Sequence, residues 1–231
     1  FPTRRSSDLL NSLSMVSRDT DESLRLGVLP SFSIYGIYEK LGEYRKRYPS
    51  YTVSMMESSN DELIRSLQDG RCNLVMIRHD EQGLPPKYAV IPLATDCVSL
   101  VLPLHHPLGR DRDTIPVQEL DGLELITSTS SFMTRTLNRV TETNGIHFNL
   151  VARFSHSDLV VRTACEENRP AVLMHAPTEA RHAGHVKILD ITPPITNVVS
   201  FVYIQQKPLN SATKAFIRML FPGWEEEKSH D

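Results

Sequence analysis

The sequence predicts an α/β fold made of two domains that are joined by two crossover strands. Between residues 24 and 78, short apolar runs alternate with helical patterns, which is typical of parallel strands connected by helices. The same alternation starts again at residue 122. Two further apolar segments, 97–102 and 198–204, flank this second repeat and would carry the chain into and out of it.

The first repeat contains the clearest signals in the chain. Apolar residues recur at spacings of three and four from Ile34 to Tyr48, and Pro49 then ends the helix. Ser59 and Glu62 form a capping-box pattern before the next helix. The elements expected in order are a strand at 24–29, a helix at 34–48, a strand at 51–56, a helix from 60 to Gly70 and a strand at 73–77.

The remaining elements are expected as follows. Strands are predicted at 90–93, 97–102, 123–126, 148–154, 171–174, 187–191 and 198–204, with helices at 116–120, 131–144, 158–167 and 209–221. A loop that can include a helical turn is expected at 175–184. Residues 1–23 are interpreted as an artefactual or linker segment. Residues 24–98 and 199–231 then form the first domain, and residues 99–198 form the second domain.

Composition limits the class of protein. The chain has 231 residues and a formal charge of −3, which suits a globular protein and gives no basic footprint for nucleic acid. No apolar run reaches the roughly 18 residues that a membrane span needs, so no membrane contact is expected. The three cysteines are far apart, which favours reduced, buried thiols in a cytoplasmic protein.

Two loops rich in hydroxyl groups are the best candidate site. Residues 30–33 (PSFS) follow the first strand, and residues 127–131 (TSTSS) follow the first strand of the second repeat. Ligands bind beyond the carboxyl ends of parallel strands, and free N–H groups at a helix start favour a carboxylate or another oxyanion. Two alternatives stay open: Ser31 or Ser33 only caps its helix, and the second loop is merely solvated.

No metal, cofactor or catalytic group is expected. His182 and His185 have His-x-x-His spacing, but no third ligand follows at a suitable distance in sequence. The chain lacks the GxGxxG, Walker A, GxSxG and HExxH patterns. No acid–base pair or activated nucleophile can be recognised, so the prediction is a binding protein rather than an enzyme.

The chain resembles a known family. Residues 24–77, with "RYP" at 47–49 and "LQDGRCNLVMI" at 67–77, are similar to the start of the effector-binding domain of LysR-type transcriptional regulators. Residues 100–108 (LVLPLHHPL) resemble a later segment of that domain, and the likeness runs from about residue 24 to 221. It implies two Rossmann-like α/β domains in a type 2 periplasmic binding protein-like fold.

The resemblance also implies a function and partners. A small-molecule effector, here a carboxylate or other oxyanion, would bind between the two domains of a cytoplasmic regulator. The chains would form a homodimer or homotetramer in which the helix at 35–48 of one chain meets the helix at 158–167 of another. DNA would be bound only through a winged helix-turn-helix domain that this sequence does not contain.

Candidate ligand-binding residues follow from the two loops and the resemblance. Ser31, Phe32, Thr127 and Thr129 match positions at which the family contacts effectors, and Ser33 and Ser128 lie in the same loops. Further candidates for the cleft wall are Arg78, Met174 and Phe201, although Arg78 could be a surface charge and Phe201 a core residue.

Two features keep other readings open. Residues 166–174 (EENRPAVLM) lack the glycines that the family usually has there, which leaves the shape of this wall undetermined. A solute-binding protein of a transporter and, less favoured, a small-molecule enzyme would have the same fold. The sequence upstream of this chain would distinguish a regulator from both.

Overall fold

The computed structural model describes residues 21–225, and their elements alternate as the sequence predicts. The strands are β1 Ser23–Val28, β2 Thr52–Glu57, β3 Leu74–His79, β4 Tyr88–Pro103, β5 Thr114–Pro116, β6 Glu124–Ser128, β7 Asn149–Phe154, β8 Ala171–Met174 and β9 Val186–Ile204. The α-helices are α1 Ile37–Arg47, α2 Asn60–Gln68, α3 Ser131–Asn144, α4 Ser157–Glu167, α5 His175–His182 and α6 Ser211–Leu220.

The described strands hydrogen-bond in the order β2-β1-β3-β9-β4-β8-β6-β7, and β5 pairs with β9. β1 is parallel to β2 and β3, and β6 is parallel to β7 and β8. We call β1–β3, α1, α2 and α6, with the adjoining ends of β4 and β9, the first half. The second half contains β5–β8 and α3–α5 with the other ends of those two strands.

The first half packs helices on both faces of its strands. Tyr44 of α1 is buried, contacts the ring of Phe216 edge-on at 5.3 Å and donates a hydrogen bond of 2.7 Å to the carbonyl of Ala212. On the other face, Gly27 lets α2 approach β1 closely, since a Cβ atom there would lie 2.7 Å from Leu63 Cδ2. A side chain at position 27 would therefore force Leu63 of α2 to shift.

β4 and β9 are the two predicted crossover strands, and each is continuous. The N-terminal part of β4 and the C-terminal part of β9 pair in the first half. The C-terminal part of β4 and the N-terminal part of β9 pair in the second half. The sequence predicted a break in each strand, but polar residues such as Asp96 and Asn197 remain in the antiparallel ladder. Ladder hydrogen bonds come from the backbone, so a polar side chain does not end a strand.

The prolines of β9 are accommodated by an irregularity in the ladder. Val98 pairs with Ile195 and Ser99 with Asp190, so residues 191–194 leave the pairing with β4. A proline has no N–H to donate, and such residues are tolerated at bulges. Ile191 and Thr192 pair with β5 instead.

Three further expectations need correction. Residues 175–182 form the eight-residue helix α5 rather than a loop with a single helical turn. The first long helix begins at Ile37 rather than at Ile34, because Gly36 has a left-handed φ of 70° that interrupts it. Of the three free thiols, Cys72 is buried, but Cys165 is exposed and Cys97 is intermediate.

The proposed boundaries of the two domains stay a prediction, and residues 1–20 and 226–231 lie outside the described part. Over residues 21–225, no helix combines the length and the apolar character needed to cross a membrane.

Candidate functional site

The loop after β1 makes a short turn before its helix. Ser31 and Phe32 are half-buried, Ser33 is exposed, and residues Phe32–Tyr35 form a single 3₁₀ turn. The Ser31 hydroxyl makes no capping hydrogen bond with this turn, so the capping alternative fails for that side chain. The loop leads into this turn and not directly into α1. The N–H groups that were expected to favour an anion therefore belong to a turn of only four residues.

The loop after β6 opens directly into α3, as predicted. Ser130 caps this helix by accepting a hydrogen bond of 3.4 Å from the N–H of Met133. Ser128 is half-buried and Thr129 is exposed, while the N–H of Thr129 donates to the carbonyl of Phe154 at 2.9 Å. Hydroxyl groups, rather than a free N–H of Thr129, are therefore what this loop offers to a ligand.

Two of the candidate residues are used inside the fold. Thr127 is fully buried, and its hydroxyl donates to the carbonyl of Val172 on β8 at 2.7 Å. Phe201 is also fully buried and contacts the rings of Phe216 and Phe221. The geometry thus favours Ser31, Ser128 and Thr129 over these two as groups that a ligand can reach.

Arg78 lies in a buried polar network rather than on the surface. Its guanidinium donates to the Asp96 carboxylate at 2.7 Å, to the side-chain carbonyl of Asn197 and to the Tyr35 hydroxyl at 2.9 Å. The Tyr35 hydroxyl also lies 3.4 Å from Asp96 Oδ2, to which it donates. Burial raises the pKa of the Tyr35 phenol, so the hydroxyl keeps its proton at neutral pH.

The same network continues into the second half. Asp96 Oδ1 accepts a hydrogen bond of 3.0 Å from the N–H of Ala176 at the start of α5. The Asn197 amide donates to the sulfur of the half-buried Met174 at 3.6 Å. Met174 therefore ends β8 next to residues of both crossover strands.

A cavity of about 260 Å³ lies between the two halves, beside this network. Asn60, Arg78 and His79 line it from the first half, and Phe132, Arg135 and Arg139 line it from the second half. Arg135 forms an ion pair with Asp61 at 3.4 Å, and Arg139 forms one with Asp80 at 3.0 Å. On the other side of the cleft, Arg181 of α5 donates to the carbonyl of Pro30 at 3.0 Å.

Sequence reasoning missed the polar residues at the centre of the cleft. Asp96, Asn197 and Asn60 belong to no motif, and two of them are contained in crossover strands. A polar residue inside an apolar strand pattern was the only available signal, since a buried polar group requires a partner. Asn60 is paired with the backbone of Arg78: its Oδ1 accepts a hydrogen bond of 3.0 Å from the N–H of Arg78.

The histidines assemble differently from the spacing in sequence. His182 contacts Asp158 at 3.2 Å, and His79 contacts Ser200 at 2.9 Å. Instead, His175 comes together with Cys97 and Asp190, whose possible ligand atoms all lie within 4.8 Å of one another. These three side chains are the donors that could hold a metal ion in the described part of the chain.

The sheet order, the two crossover strands and the cavity between the halves define a ligand-binding domain of the type 2 periplasmic binding protein class. The family model for the LysR substrate binding domain matches residues 17–224. The chain therefore belongs to the LysR substrate binding domain family.

Relatives of known description are transcriptional regulators. The HTH-type transcriptional regulator TtuA of Agrobacterium vitis is 33% identical over 112 residues, which cover 48% of this chain and 36% of the relative. A probable RuBisCO transcriptional regulator of Synechocystis sp. is 24% identical over 208 residues, which cover 87% of this chain and 60% of the relative. The chain thus matches less than two thirds of the length of either relative.

Solved structures share the fold. The CcmR regulatory domain of Synechocystis PCC6803, in complex with 2-PG, has a TM-score of 0.73 at 20% identity and covers 86% of this chain and 95% of its own. The effector binding domain of QuiR, in complex with shikimate, has a TM-score of 0.72 at 17% identity and covers 86% and 94%. At these identities the likeness establishes the architecture alone.

Proposed function

We propose that this chain is the effector-sensing domain of a LysR-type transcriptional regulator and that it has no enzymatic activity of its own. The observation that carries the proposal is the family match over residues 17–224. The regulators among the relatives favour it over a solute-binding protein of a transporter or an enzyme on the same fold.

The effector binds between the two halves, close to the loops after β1 and β6. Ser31, Phe32 and Ser33 contact it from the first half, and Ser128 and Thr129 contact it from the second half. Met174 and Arg78 lie at the floor of this cleft, where Arg78 acts through its polar network. Thr127 and Phe201 were predicted for the same site, but their burial makes them supports of its walls.

The effector is a small carboxylate or a comparable oxyanion. Its oxygens accept hydrogen bonds from the hydroxyls of both loops, and a charged acceptor strengthens such bonds. Shikimate, the ligand of the QuiR domain, is a carboxylate, which supports this choice of chemistry.

The test is calorimetric titration of the domain with a panel of small carboxylates, including shikimate and benzoate, and with matched amines. Removing the hydroxyl in Ser31→Ala or Thr129→Ala should cost about 1.5–3 kcal/mol per hydrogen bond to a charged ligand. That cost corresponds to binding that is roughly 10- to 150-fold weaker. Ser54→Ala removes an exposed hydroxyl from edge strand β2 and serves as the control.

Three results would contradict the proposal at different levels. Unchanged affinity in both loop variants would place the effector elsewhere in the chain. Preference for an amine would overturn the oxyanion. Turnover of any bound compound would overturn the non-enzymatic assignment. Melting curves for all variants separate these outcomes from loss of folding.

Association of chains is part of the same proposal. The sheet ends in β2 on one side and β7 on the other, and both ends expose apolar side chains: Tyr38 and Met55 at the first, Val151 and Leu159 at the second. A groove of about 900 Å³ runs between α1 and β2. We infer a homodimer or homotetramer in which the β2 end of one chain contacts the β7 end of another. Light scattering that detects only monomer at tens of micromolar protein would contradict this inference.

DNA binding by the whole cytoplasmic regulator is assigned to a winged helix-turn-helix domain outside this chain. The chain has a formal charge of −3, which gives no electrostatic footprint for a duplex. A gel-shift assay with the upstream region of its own gene should detect no sequence-specific binding by this domain at submicromolar concentration. A specific complex would refute the assignment.

A further inference from the structure

A second candidate site lies at the start of α5, on strands that both halves share. Cys97 belongs to β4, Asp190 to β9 and His175 to α5, and their possible ligand atoms lie within 4.8 Å of one another. We propose that these three side chains bind one divalent metal ion such as Zn²⁺. Thiolate, imidazole and carboxylate are the donors that zinc takes in proteins.

The spacing of the donors suits a tetrahedral ion. His175 Nδ1 and Asp190 Oδ1 are 3.2 Å apart. Two ligand atoms that each lie about 2.0–2.1 Å from zinc, at the tetrahedral angle, are about 3.3 Å apart. A sulfur at about 2.3 Å from the same ion would lie about 3.6 Å from each of them. Cys97 Sγ lies within 4.8 Å of both atoms, so it needs to approach each of them by up to about 1.2 Å.

The imidazole of His175 is oriented from its far side. Glu179, one turn later in α5, places Oε2 at 3.4 Å from His175 Nε2. A carboxylate there favours a proton on Nε2 and leaves the lone pair of Nδ1 for a metal, which is the usual outer arrangement around a ligating histidine. Ser99 Oγ lies 2.9 Å from Nδ1 and 4.0 Å from Cys97 Sγ, so its proton can turn to the sulfur when Nδ1 binds the ion.

The topology explains why the three ligands meet. Cys97 and Ser99 are two residues apart on β4 and point to the same face of the sheet. The register shift after Val98 brings Asp190 of β9 directly opposite Ser99. The Asp190 side chain is 59% exposed, so an ion can reach the site from solvent. The ion would join both crossover strands to α5, next to the bond between Asp96 and Ala176.

An ordinary ion pair between His175 and Asp190 is the competing interpretation, in which Nδ1 donates its proton to the carboxylate. It gives Cys97 no role, so it predicts that Cys97→Ser leaves the behaviour of the chain toward metal ions unchanged.

The experiment uses Co²⁺ as a spectroscopic probe and Zn²⁺ as a competitor, with the chain kept reduced. One equivalent of Co²⁺ should produce a thiolate-to-cobalt charge-transfer band that Zn²⁺ removes. Cys97→Ser should abolish the band, and His175→Gln and Asp190→Asn should each weaken binding by more than tenfold. Glu179→Gln, which acts only through His175, should weaken it about 10- to 100-fold.

Matched controls come from the same structure. Cys165→Ser removes an exposed thiol of α4 that lies outside the proposed site. His182→Gln removes a histidine that contacts the carboxylate of Asp158 and, among the described residues, belongs to no cluster with a cysteine. Both should bind Co²⁺ as the unaltered chain does. Absence of the charge-transfer band, or a band that persists in Cys97→Ser, would overturn the site. Asp190 is exposed, so Asp190→Asn keeps the test decisive if another variant fails to fold.

Discussion

Two kinds of ion pair lie at the cleft between the halves of this molecule, and they differ in burial rather than in chemistry. Arg78 and Asp96 lie 2.7 Å apart, with side chains that are only 5% and 2% exposed. Arg139 and Asp80 lie at a similar distance, 3.0 Å, but their side chains are 35% and 36% exposed. Arg135 and Asp61 are more exposed still.

This difference decides what each set contributes. Water screens the exposed pairs, so each is worth little to stability. The buried pair has lost its hydration, and each charge depends on the other and on Tyr35 and Asn197 for compensation. The buried set therefore fixes the geometry at the floor of the cleft, whereas the exposed set can open and close at small cost. Predictions about these pairs follow, in order of expected effect.

The largest effect is expected for Asp96→Asn. The change removes the negative charge and leaves the Arg78 guanidinium buried without a counter-ion. Removing one partner of a buried pair costs about 3–5 kcal/mol, so the free energy of unfolding in urea should fall by that amount. A loss below about 1 kcal/mol would mean that the pair behaves like the exposed ones.

A matched double variant sharpens this test. Arg78→Met/Asp96→Leu removes both charges and replaces them with apolar side chains of related volume. Its stability should exceed that of Asp96→Asn, because no unpaired charge remains. A double-mutant cycle with the single variants Arg78→Met and Asp96→Leu gives the coupling energy directly. Additive single effects would show that the two groups do not depend on each other.

An intermediate effect is expected for Tyr35→Phe. The hydroxyl bonds to both charged groups of the buried pair, and loss of a hydrogen bond to a charged group costs about 1.5–3 kcal/mol. Equilibrium unfolding at pH 7 measures this loss. Tyr38→Phe on α1 is the control, since that side chain is 66% exposed.

The same residue gives a dependence on pH with a definite sign. Burial raises the pKa of the Tyr35 phenol, so folding favours its protonated form. The stability linked to this proton is present below the unfolded pKa of about 10 and is lost as the pH rises above it. Tyr35→Phe should therefore lose less stability than the unaltered chain between pH 9 and about 11. Equal losses of stability in the variant and the unaltered chain would show that ionisation of the Tyr35 phenol does not contribute to alkaline unfolding.

The smallest effect is expected for Arg139→Gln. An exposed pair contributes about 0.2–1 kcal/mol, and salt screens that contribution. Unfolding at low and high ionic strength should differ between the variant and the unaltered chain only at low ionic strength. An effect as large as that of Asp96→Asn would erase the distinction between the two sets.

The sequence was informative where local patterns decide the structure. The Ser59 cap, with its 3.5 Å bond from the N–H of Glu62, and the end of α3 at Gly145 could be read directly. Helix α5 could not, because Thr178 is its only buried residue and no apolar stripe marks it. Pro177 lies in the first turn of this helix, where a proline is tolerated.

The candidate site was harder to predict because its partners are distant in sequence. Arg78 was foreseen near the cleft, but its bonds to Asp96 and Asn197 span 18 and 119 positions. Thr127 and Thr129 look alike in sequence, and only the strand pairing shows that the first is buried. No metal site was expected from the spacing of His182 and His185, and no spacing in sequence indicated that folding brings His175 to Cys97 and Asp190.

The pairing of β4 with β9 has a mechanical consequence. The ladder between them is irregular at Pro92–Ala94 and again at Val98–Ser99, and it is regular in the short stretch between. Bending of the two-stranded ribbon at the irregular steps breaks no regular pair, but sliding of one half past the other would break the whole ladder. The halves should therefore rotate about an axis across the ribbon near Asp96 and resist translation along it.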